Sequence, residues 1–131
     1  MPRLFDHIDL RVRDLKEADA FYSALLPALG FPERSADETF VCFDADEPHP
    51  KTPFIALIED RAHQPNATRL AFWKDTREEV EALRPLLHRI GARHIEGPEF
   101  CPEYSPEYFA VFFEDPSGNR LEVCCRMARP E

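Results

Sequence analysis

Three ionisable side chains, His7, Asp9 and Arg11, alternate along the first predicted strand and bring an imidazole, a carboxylate and a guanidinium to one face. Apolar side chains occupy the positions between them, which is the pattern of a half-buried strand. A charged row of this kind faces either solvent or a wet pocket. An imidazole is a metal ligand or a general base at neutral pH, so this face is a candidate for chemistry.

A second strand, predicted over residues 67–74, carries Arg69, Ala71 and Trp73 on one face. The guanidinium is a permanent cation with a planar fork that binds oxyanions. Trp73 is the only tryptophan of the chain. It either lines a pocket as an apolar wall or fills the core, and the sequence leaves both interpretations open.

The last predicted strand, residues 119–126, alternates in the same way. Glu122 and Cys124 share the face opposite to Leu121 and Val123, and an ordinary outward acid is the plain alternative for Glu122. Cys124 and Cys125 are neighbours on a strand and point to opposite faces, so they do not readily bind one ion together. We expect Cys125 in the core and Cys124 on the side of the candidate pocket.

Two tyrosines, Tyr104 and Tyr108, accompany a loop predicted over residues 97–106, which is rich in proline and tyrosine. Their hydroxyl groups are suited to bind a ligand and their rings to cover it. Loops beside a pocket often carry recognition. A tyrosine that packs and hydrogen-bonds locally is the equally ordinary alternative.

These candidate residues lie on two copies of the same plan. Each copy has an alternating strand, an aspartate, an amphipathic helix and a glycine, and the copies align at an offset of 61 to 62 residues, pairing Asp14 with Asp75, Gly30 with Gly91 and His7 with Arg69. Module one covers residues 4–60 and module two residues 66–127, in a single domain of residues 1–131. The expected fold class is α+β, two tandem βαβββ modules.

Turn and cap signals place the elements within each module. Asp14 with Glu17, and Asp75 with Glu78, are predicted helix N-caps. Module one continues with strands near residues 31–36, 39–43 and 53–58, with an exposed loop over residues 44–52. Module two continues with strands near residues 93–96 and 108–113. The sequence Asp115-Pro-Ser-Gly118 predicts a type I turn before the last strand.

Composition limits the class of protein. The 131 residues carry a formal net charge of −9, which repels a phosphate backbone, so we expect no nucleic-acid partner and no binding to a membrane surface. No apolar run reaches the length of a secretory signal or a membrane span, which predicts a cytoplasmic protein. The four cysteines lack zinc-site spacing and are expected as free thiols.

The opening F-D-H-I-D-L-R-V, the helix A-F-Y-S-A-L-L-P-A-L-G-F and the closing F-F-E-D-P-S-G-N-R-L-E-V resemble the vicinal oxygen chelate superfamily of glyoxalase I, bleomycin-resistance proteins, fosfomycin-resistance transferases and extradiol dioxygenases. The stretch from Pro102 to Asn119 is also similar to a bacterial subgroup of glyoxalase-like proteins without an agreed substrate. This resemblance implies a cup-shaped, curled mixed sheet with helices outside. It also implies a homodimer, because relatives commonly shield their cups with a second chain.

In the metal-dependent members of this superfamily, ligands come from the first strand, from matching positions of other strands and from the last strand. The resemblance assigns His7 to the first position and Glu122 to the last. The first strand of module two brings Arg69 where the pattern has a histidine, and residues 53–58 offer no ligand in either register. His7 and Glu122 are therefore metal ligands only if an ion is bound, and catalytic metal sites usually keep three.

A guanidinium in the third position repels a divalent ion. Two unit charges at about 4 Å interact by about 4 kcal/mol at an effective dielectric near 20, and arginine does not escape by deprotonating. We therefore expect no cofactor, and an Arg69–Glu122 ion pair in the place of the metal, with His7 as a further member. The alternative is a divalent zinc, iron, manganese or nickel ion, with His63 or substrate oxygens completing the site. His49, His88 and His94 are weaker candidates.

Three functions follow for the expected site, which contains His7, Glu122 and Arg69 as candidate catalytic groups. The first is a glyoxalase- or bleomycin-resistance-like protein that binds a small polar or anionic metabolite without a metal. The second is a metal-dependent lyase, isomerase or dioxygenase. The third is a metal-free acid–base enzyme. The candidate ligand-binding residues are Asp9, Arg11, Trp73, Tyr104, Tyr108 and Cys124.

Overall fold

The computed structural model describes residues 4–45 and 52–127. The chain divides between Gln64 and Pro65 into two compact units, which correspond to the two predicted modules. Each unit has the order strand, helix, three strands, and the helix of the second unit is split in two. The predicted α+β class with tandem βαβββ modules is confirmed. The predicted loop over residues 44–52 falls largely on residues 46–51, which lie outside the described part, as does His49.

The first unit contains a four-stranded mixed sheet in the order β1-β4-β3-β2. The strand β1 pairs in parallel with β4, and the other two pairs are antiparallel. Its elements are β1 His7–Val12, α1 Leu15–Ala28, β2 Glu33–Ala36, β3 Phe40–Asp44 and β4 Phe54–Glu59.

The helix α1 begins where the sequence predicted. Asp14 is in an extended conformation, and its side chain accepts a hydrogen bond of 2.9 Å from the backbone N–H of Glu17. Pro27 lies in the last turn, and Gly30 takes a φ of +100° beyond it, a conformation that glycine adopts without strain. The apolar face packs on the sheet. Its buried members are Ala18, Phe21, Tyr22, Leu25 and Leu26.

The second unit repeats the topology with the sheet order β5-β8-β7-β6, in which β5 and β8 are parallel. Its elements are β5 Arg69–Trp73, α2 Arg77–Glu81, α3 Leu83–Arg89, β6 Arg93–Phe100, β7 Phe109–Glu114 and β8 Arg120–Cys125. Among the described residues, no helix is long and apolar enough to cross a membrane.

The helical segment of the second unit differs from the prediction in two respects. It is interrupted at Ala82, which places Pro85 in the first turn of α3. The backbone N–H groups of a first turn make no hydrogen bond within the helix, so proline is tolerated there. The N-cap is Thr76, which accepts from the N–H of Glu79, so the predicted Asp75 and Glu78 cap is wrong by one residue. Asp75 instead accepts a hydrogen bond of 2.7 Å from the indole N–H of Trp73.

The strand β6 is longer than predicted. It continues to Phe100 through residues that the sequence assigned to a loop, and its pairing with β7 shifts register at two points. The turn before β8 is formed as predicted. Gly118 donates to the carbonyl of Asp115 over 3.0 Å, and the Asp115 carboxylate accepts from the backbone N–H groups of Ser117 and Asn119.

Strand alternation gives the sheet of the second unit two different faces. One face is buried, and the helix α2 contacts β7 and β8 there. The buried members of this core are Val80, Leu83, Leu87, Phe109, Val111, Phe113, Leu121, Val123 and Cys125. We call the opposite face the open face. Its members on the three consecutive strands β5, β8 and β7 are Arg69, Ala71, Trp73, Arg120, Glu122, Cys124, Ala110, Phe112 and Glu114.

Candidate ligand-binding face of the second module

Glu122 is the central charged residue of the open face. The strand register places it beside Ala71 on β5 and Phe112 on β7. Only 5% of its surface is exposed. Its carboxylate accepts a hydrogen bond from the hydroxyl of Tyr108. The predicted alternative of an ordinary outward acid is therefore wrong, because an outward acid keeps its carboxylate in water.

A cavity of about 480 Å³ opens at this hydrogen bond. Both Glu122 and Tyr108 line it, so the buried carboxylate lies at the wall of a space large enough for a small molecule. The remaining lining residues are Glu103, Tyr104, Ser105 and Arg126. The predicted residues Tyr104 and Tyr108 thus belong to the same cavity as Glu122.

Tyr108 is held as a protonated hydrogen-bond donor. Burial raises the pKa of its phenol, and the hydrogen bond to Glu122 raises it further. The ring packs on a small apolar cluster of Cys101, Ala110 and Cys124. Burial also raises the pKa of the Cys124 thiol, so this cysteine packs against Tyr108 as a neutral group and not as a nucleophilic thiolate.

Tyr104 lies at the exposed side of this cavity. Its ring contacts the Tyr108 ring edge to face with centroids 5.1 Å apart, and 58% of its surface is exposed. An exposed aromatic ring beside a cavity can cover a bound molecule with little loss of rotamer freedom. The sequence left two roles open for Tyr104, local packing and the covering of a ligand. The structure shows the packing with Tyr108, and the position beside the cavity is also compatible with covering a ligand.

Trp73 is 47% exposed, so it does not fill the core. Its indole N–H donates to Asp75, and the guanidinium of Arg126 lies 5.9 Å from its ring centre. Ala71 is exposed between Arg69 and Trp73 on the same strand face. The small side chain leaves room beside Glu122, with a cation at one end of the strand and an aromatic wall at the other.

The predicted ion pair between Arg69 and Glu122 is not formed in the part of the chain that the structure describes. The guanidinium of Arg69 lies over the ring of Phe112, 4.9 Å from its centre, and Glu122 bonds to Tyr108 instead. Arg69 pairs with Arg120 on β8, and Phe112 is the register partner of Glu122 on β7. The guanidinium thus reaches the row of Glu122 but contacts the Phe112 ring there, while the carboxylate accepts from Tyr108.

Three predicted residues lie on the first unit. His7 stacks on Phe54 with ring centres 4.7 Å apart, and its Nδ1 lies 2.8 Å from the Asp6 carboxylate. The Nε2 atom of His7 is 3.8 Å from Asp9. Arg11 follows on the same strand face. The three side chains are exposed, so the structure places them on a charged strand face as predicted.

The pairing of β1 with β4 identifies the residue that matches Glu122 in the first unit. The third residue of β1, Asp9, pairs with Ala56, as the third residue of β5, Ala71, pairs with Glu122. The equivalent position in module one is therefore an alanine and supplies no metal ligand. Among the described residues, no group of three or more His, Cys, Asp or Glu side chains is arranged to hold a metal ion.

Sequence reasoning missed a second cavity of about 300 Å³ on the second unit. Arg69 lines it together with Arg120, which was not among the predicted site residues, and with His94, which was a weaker metal-ligand candidate. The sequence could have indicated Arg120, because residues 120, 122 and 124 alternate along β8 and therefore share one face. The other lining residues are Glu96, Phe112, Phe113 and Glu114.

The fold and this face define a protein built from paired βαβββ modules, with polar side chains on an open sheet face. The chain belongs to the glyoxalase/bleomycin resistance protein/dioxygenase superfamily, whose family model matches residues 4–123. No curated protein matches the sequence significantly. The resemblance inferred from the sequence motifs is thereby confirmed at the level of the superfamily.

Solved structures share the fold over nearly the whole chain. A glyoxalase/bleomycin resistance protein from Albidiferax ferrireducens T118 is 22% identical, with a TM-score of 0.73 over 95% of this chain and 99% of that one. A protein proposed to be a glyoxalase, from Bacillus halodurans, is 26% identical, with a TM-score of 0.73 over 93% and 95%. The fosfomycin resistance protein FosX from Mesorhizobium loti is 14% identical, with a TM-score of 0.68 over 97% and 95%.

Proposed function

We propose that the second module binds a small polar or anionic metabolite on its open face and does so without a divalent metal ion. The observation that carries this proposal is the Glu122 carboxylate, which is almost fully buried yet lines an open cavity and bonds to the hydroxyl of Tyr108. Burying a carboxylate costs free energy that an apolar residue would not cost, which favours a binding role for Glu122.

The hydrogen-bonding capacity of Glu122 supports a ligand with a donor group. An ionised carboxylate has about four lone-pair sites, and the Tyr108 hydroxyl uses one of them. A hydroxyl, amide or ammonium group of a ligand in the cavity would use another. Arg69, on the same face, supplies a cation for an anionic group of the ligand.

The donor set supports the metal-free part of the proposal. Of the positions that carry metal ligands in the superfamily, His7 and Glu122 are ligand types, whereas position 69 is an arginine and the module-one match of Glu122 is Ala56. This set does not fit a divalent ion, since catalytic sites usually keep three protein ligands. No step of the proposed function therefore passes through a metal.

Thermal denaturation against a panel of metabolites, with and without EDTA and added divalent ions, tests the proposal. We expect stabilisation by organic anions or polar metabolites, unchanged by EDTA and lost in Glu122→Gln. Stabilisation by a divalent ion alone, or ligand binding that requires one, would support a metal-dependent lyase, isomerase or dioxygenase and contradict the proposal.

A metal-free acid–base enzyme is the second candidate, and the buried Glu122–Tyr108 pair favours it. In this function Glu122 takes a proton from the ligand, and Arg69 stabilises the negative charge that develops. Turnover of a panel compound that survives EDTA and is lost in Glu122→Ala would establish it. His7 is the alternative base, and loss of turnover in His7→Ala with retention in Glu122→Ala would assign the role to it.

We further propose that the protein is a cytoplasmic homodimer. The superfamily resemblance supports the dimer, and four free cysteines support a reducing compartment. Light scattering coupled to size exclusion measures the mass in solution, and cell fractionation measures the location. A mass close to 15.2 kDa, that of one chain, would contradict the dimer.

A further inference from the structure

The cavity of about 300 Å³ beside Arg69 is separate from the cavity that contains Tyr108. Two guanidinium groups line it, because Arg69 on β5 pairs directly with Arg120 on β8. Residues paired on adjacent strands point to the same face, so both cations belong to the open face. Phe112 forms part of the wall between them and the centre of the sheet.

The register extends this pair into a basic row across the sheet. Arg120 pairs with Glu114 on β7, and Glu114 pairs with Arg93 on β6. The row therefore contains three guanidinium groups and one carboxylate, in a chain whose net charge is −9. Glu96 adds a second acid to the cavity wall, and His94 lies 3.9 Å from Glu114.

Arg69 and Arg120 bring two cationic side chains to neighbouring positions of the sheet. Like charges directly opposite each other on neighbouring strands destabilise a sheet. The guanidinium of Arg69 lies 4.9 Å from the centre of the Phe112 ring in a cation–π contact, and its N–H groups are donors of the kind that bind oxyanions. An anion that bridges the two guanidinium groups would relieve the repulsion between them.

The same strand connects this row to the Glu122 site. Arg120 and Glu122 are two residues apart on β8, which corresponds to about 7 Å along a strand. A small molecule held at the arginines would extend along the same face toward the carboxylate of Glu122, which lines the other cavity. A ligand that fits this spacing has an anionic group at one end and a hydrogen-bond donor at the other.

We propose that Arg69 and Arg120 form an oxyanion subsite that holds the phosphate or carboxylate group of a small metabolite, while Glu122 binds a donor group of the same molecule. The subsite deepens the proposed function and rests on it for the second half of the ligand. Guanidinium forks match both phosphate and carboxylate, so the chemistry of recognition is the same for the two groups.

Inorganic phosphate and acetate test the subsite itself. Titration of the full-length protein at constant ionic strength is followed by the arginine Nε–Hε signals in NMR spectra. We expect the Arg69 and Arg120 signals to shift saturably, and the affinity to fall about tenfold or more in Arg69→Gln and in Arg120→Gln. The stronger of the two probes identifies the group as phosphate or carboxylate.

Arg89→Gln is the matched control, because Arg89 is an exposed arginine in the last turn of α3 and lines neither cavity. It should bind phosphate and acetate as the parent does. Equal loss of affinity in this control would show that only the overall charge matters. Wild-type affinity in both Arg69→Gln and Arg120→Gln, or no binding of either probe, would overturn the subsite.

Glycerol phosphate, which adds hydroxyl donors to the phosphate, tests the second half of the ligand. We expect it to bind more tightly than inorganic phosphate, and the gain to disappear in Glu122→Gln while phosphate binding persists. If phosphate fails to bind but a panel metabolite still requires Glu122, the subsite is wrong and the proposed function stands. If phosphate binds but no panel metabolite depends on Glu122, the proposed function fails and the subsite stands.

Discussion

The hydroxyl of Tyr108, the residue immediately before β7, donates a hydrogen bond to the buried carboxylate of Glu122 on β8. This hydrogen bond holds the phenol of Tyr108 and the carboxylate of Glu122 in place. The phenol remains protonated because burial and the neighbouring carboxylate raise its pKa, and the carboxylate is held at the wall of the cavity. The same arrangement that orients Glu122 leaves part of its hydrogen-bonding capacity for a ligand.

Removing the Tyr108 hydroxyl should destabilise the protein. Tyr108→Phe leaves the Glu122 carboxylate buried without its donor, and we expect the free energy of unfolding to fall by about 1–3 kcal/mol. Urea denaturation measures the change. Tyr104→Phe is the control, since its ring is exposed and the loss should stay within about 0.5 kcal/mol. Equal effects of the two substitutions would contradict the role given to the hydrogen bond.

The raised pKa of Tyr108 predicts how stability depends on alkaline pH. An unfolded tyrosine loses its proton near pH ~10, whereas the folded Tyr108 keeps it. The folded state then holds more protons than the unfolded state, so the free energy of unfolding decreases as the pH rises above about 10. Urea denaturation at increasing pH should show a shallower decrease for Tyr108→Phe. Identical slopes for the two proteins would exclude this contribution.

Cys42 should be unreactive at neutral pH. Burial raises the pKa of its thiol to about 11, and the carboxylate of Asp44 adds to the effect. The thiolate is the reactive form, so alkylation of the folded protein should be slow at pH 7 and should accelerate as the pH approaches that value. Iodoacetamide labelling followed by peptide mass spectrometry measures it, with urea-unfolded protein as the control. Rapid labelling of folded protein at neutral pH would contradict the assignment.

Arg69→His should create an affinity for a divalent ion that the parent lacks. The substitution restores the histidine that the superfamily pattern has before the L-A-F run, on the same sheet face as Glu122. Calorimetric titration with zinc measures the gain. Arg120→His is the matched control, because it adds a histidine on the same face at a position where the pattern has no ligand. Equal zinc affinity of both variants would show that the added histidine alone is sufficient.

The sequence predicted which residues share a face of the candidate site, but it did not predict the contacts that these residues make. Alternation is a local property, so the sequence alone was enough to place Arg69 with Trp73 and Glu122 with Cys124. The pairing register is not local. It sets Arg69 opposite Arg120, and the guanidinium contacts the Phe112 ring of β7 in place of the predicted carboxylate.

The predicted and observed boundaries of helices and strands also differ because of tertiary contacts. Asp75 and Thr76 are both good N-cap residues. Thr76 forms the N-cap, and the Asp75 carboxylate instead accepts a hydrogen bond from the indole N–H of Trp73. Gly97 and Pro98 signal a loop in the sequence, yet β6 continues through them with irregular pairing to β7. Local signals did not distinguish between these alternatives, since tertiary contacts decided them.

The metal content of the protein purified without a chelator, measured by inductively coupled plasma mass spectrometry, tests the proposed metal-free site. We expect far less than one equivalent of zinc, iron, manganese or nickel per chain, because Arg69 stands where the superfamily pattern has a metal-binding histidine. One equivalent of any of these ions, retained through dialysis, would contradict the metal-free site.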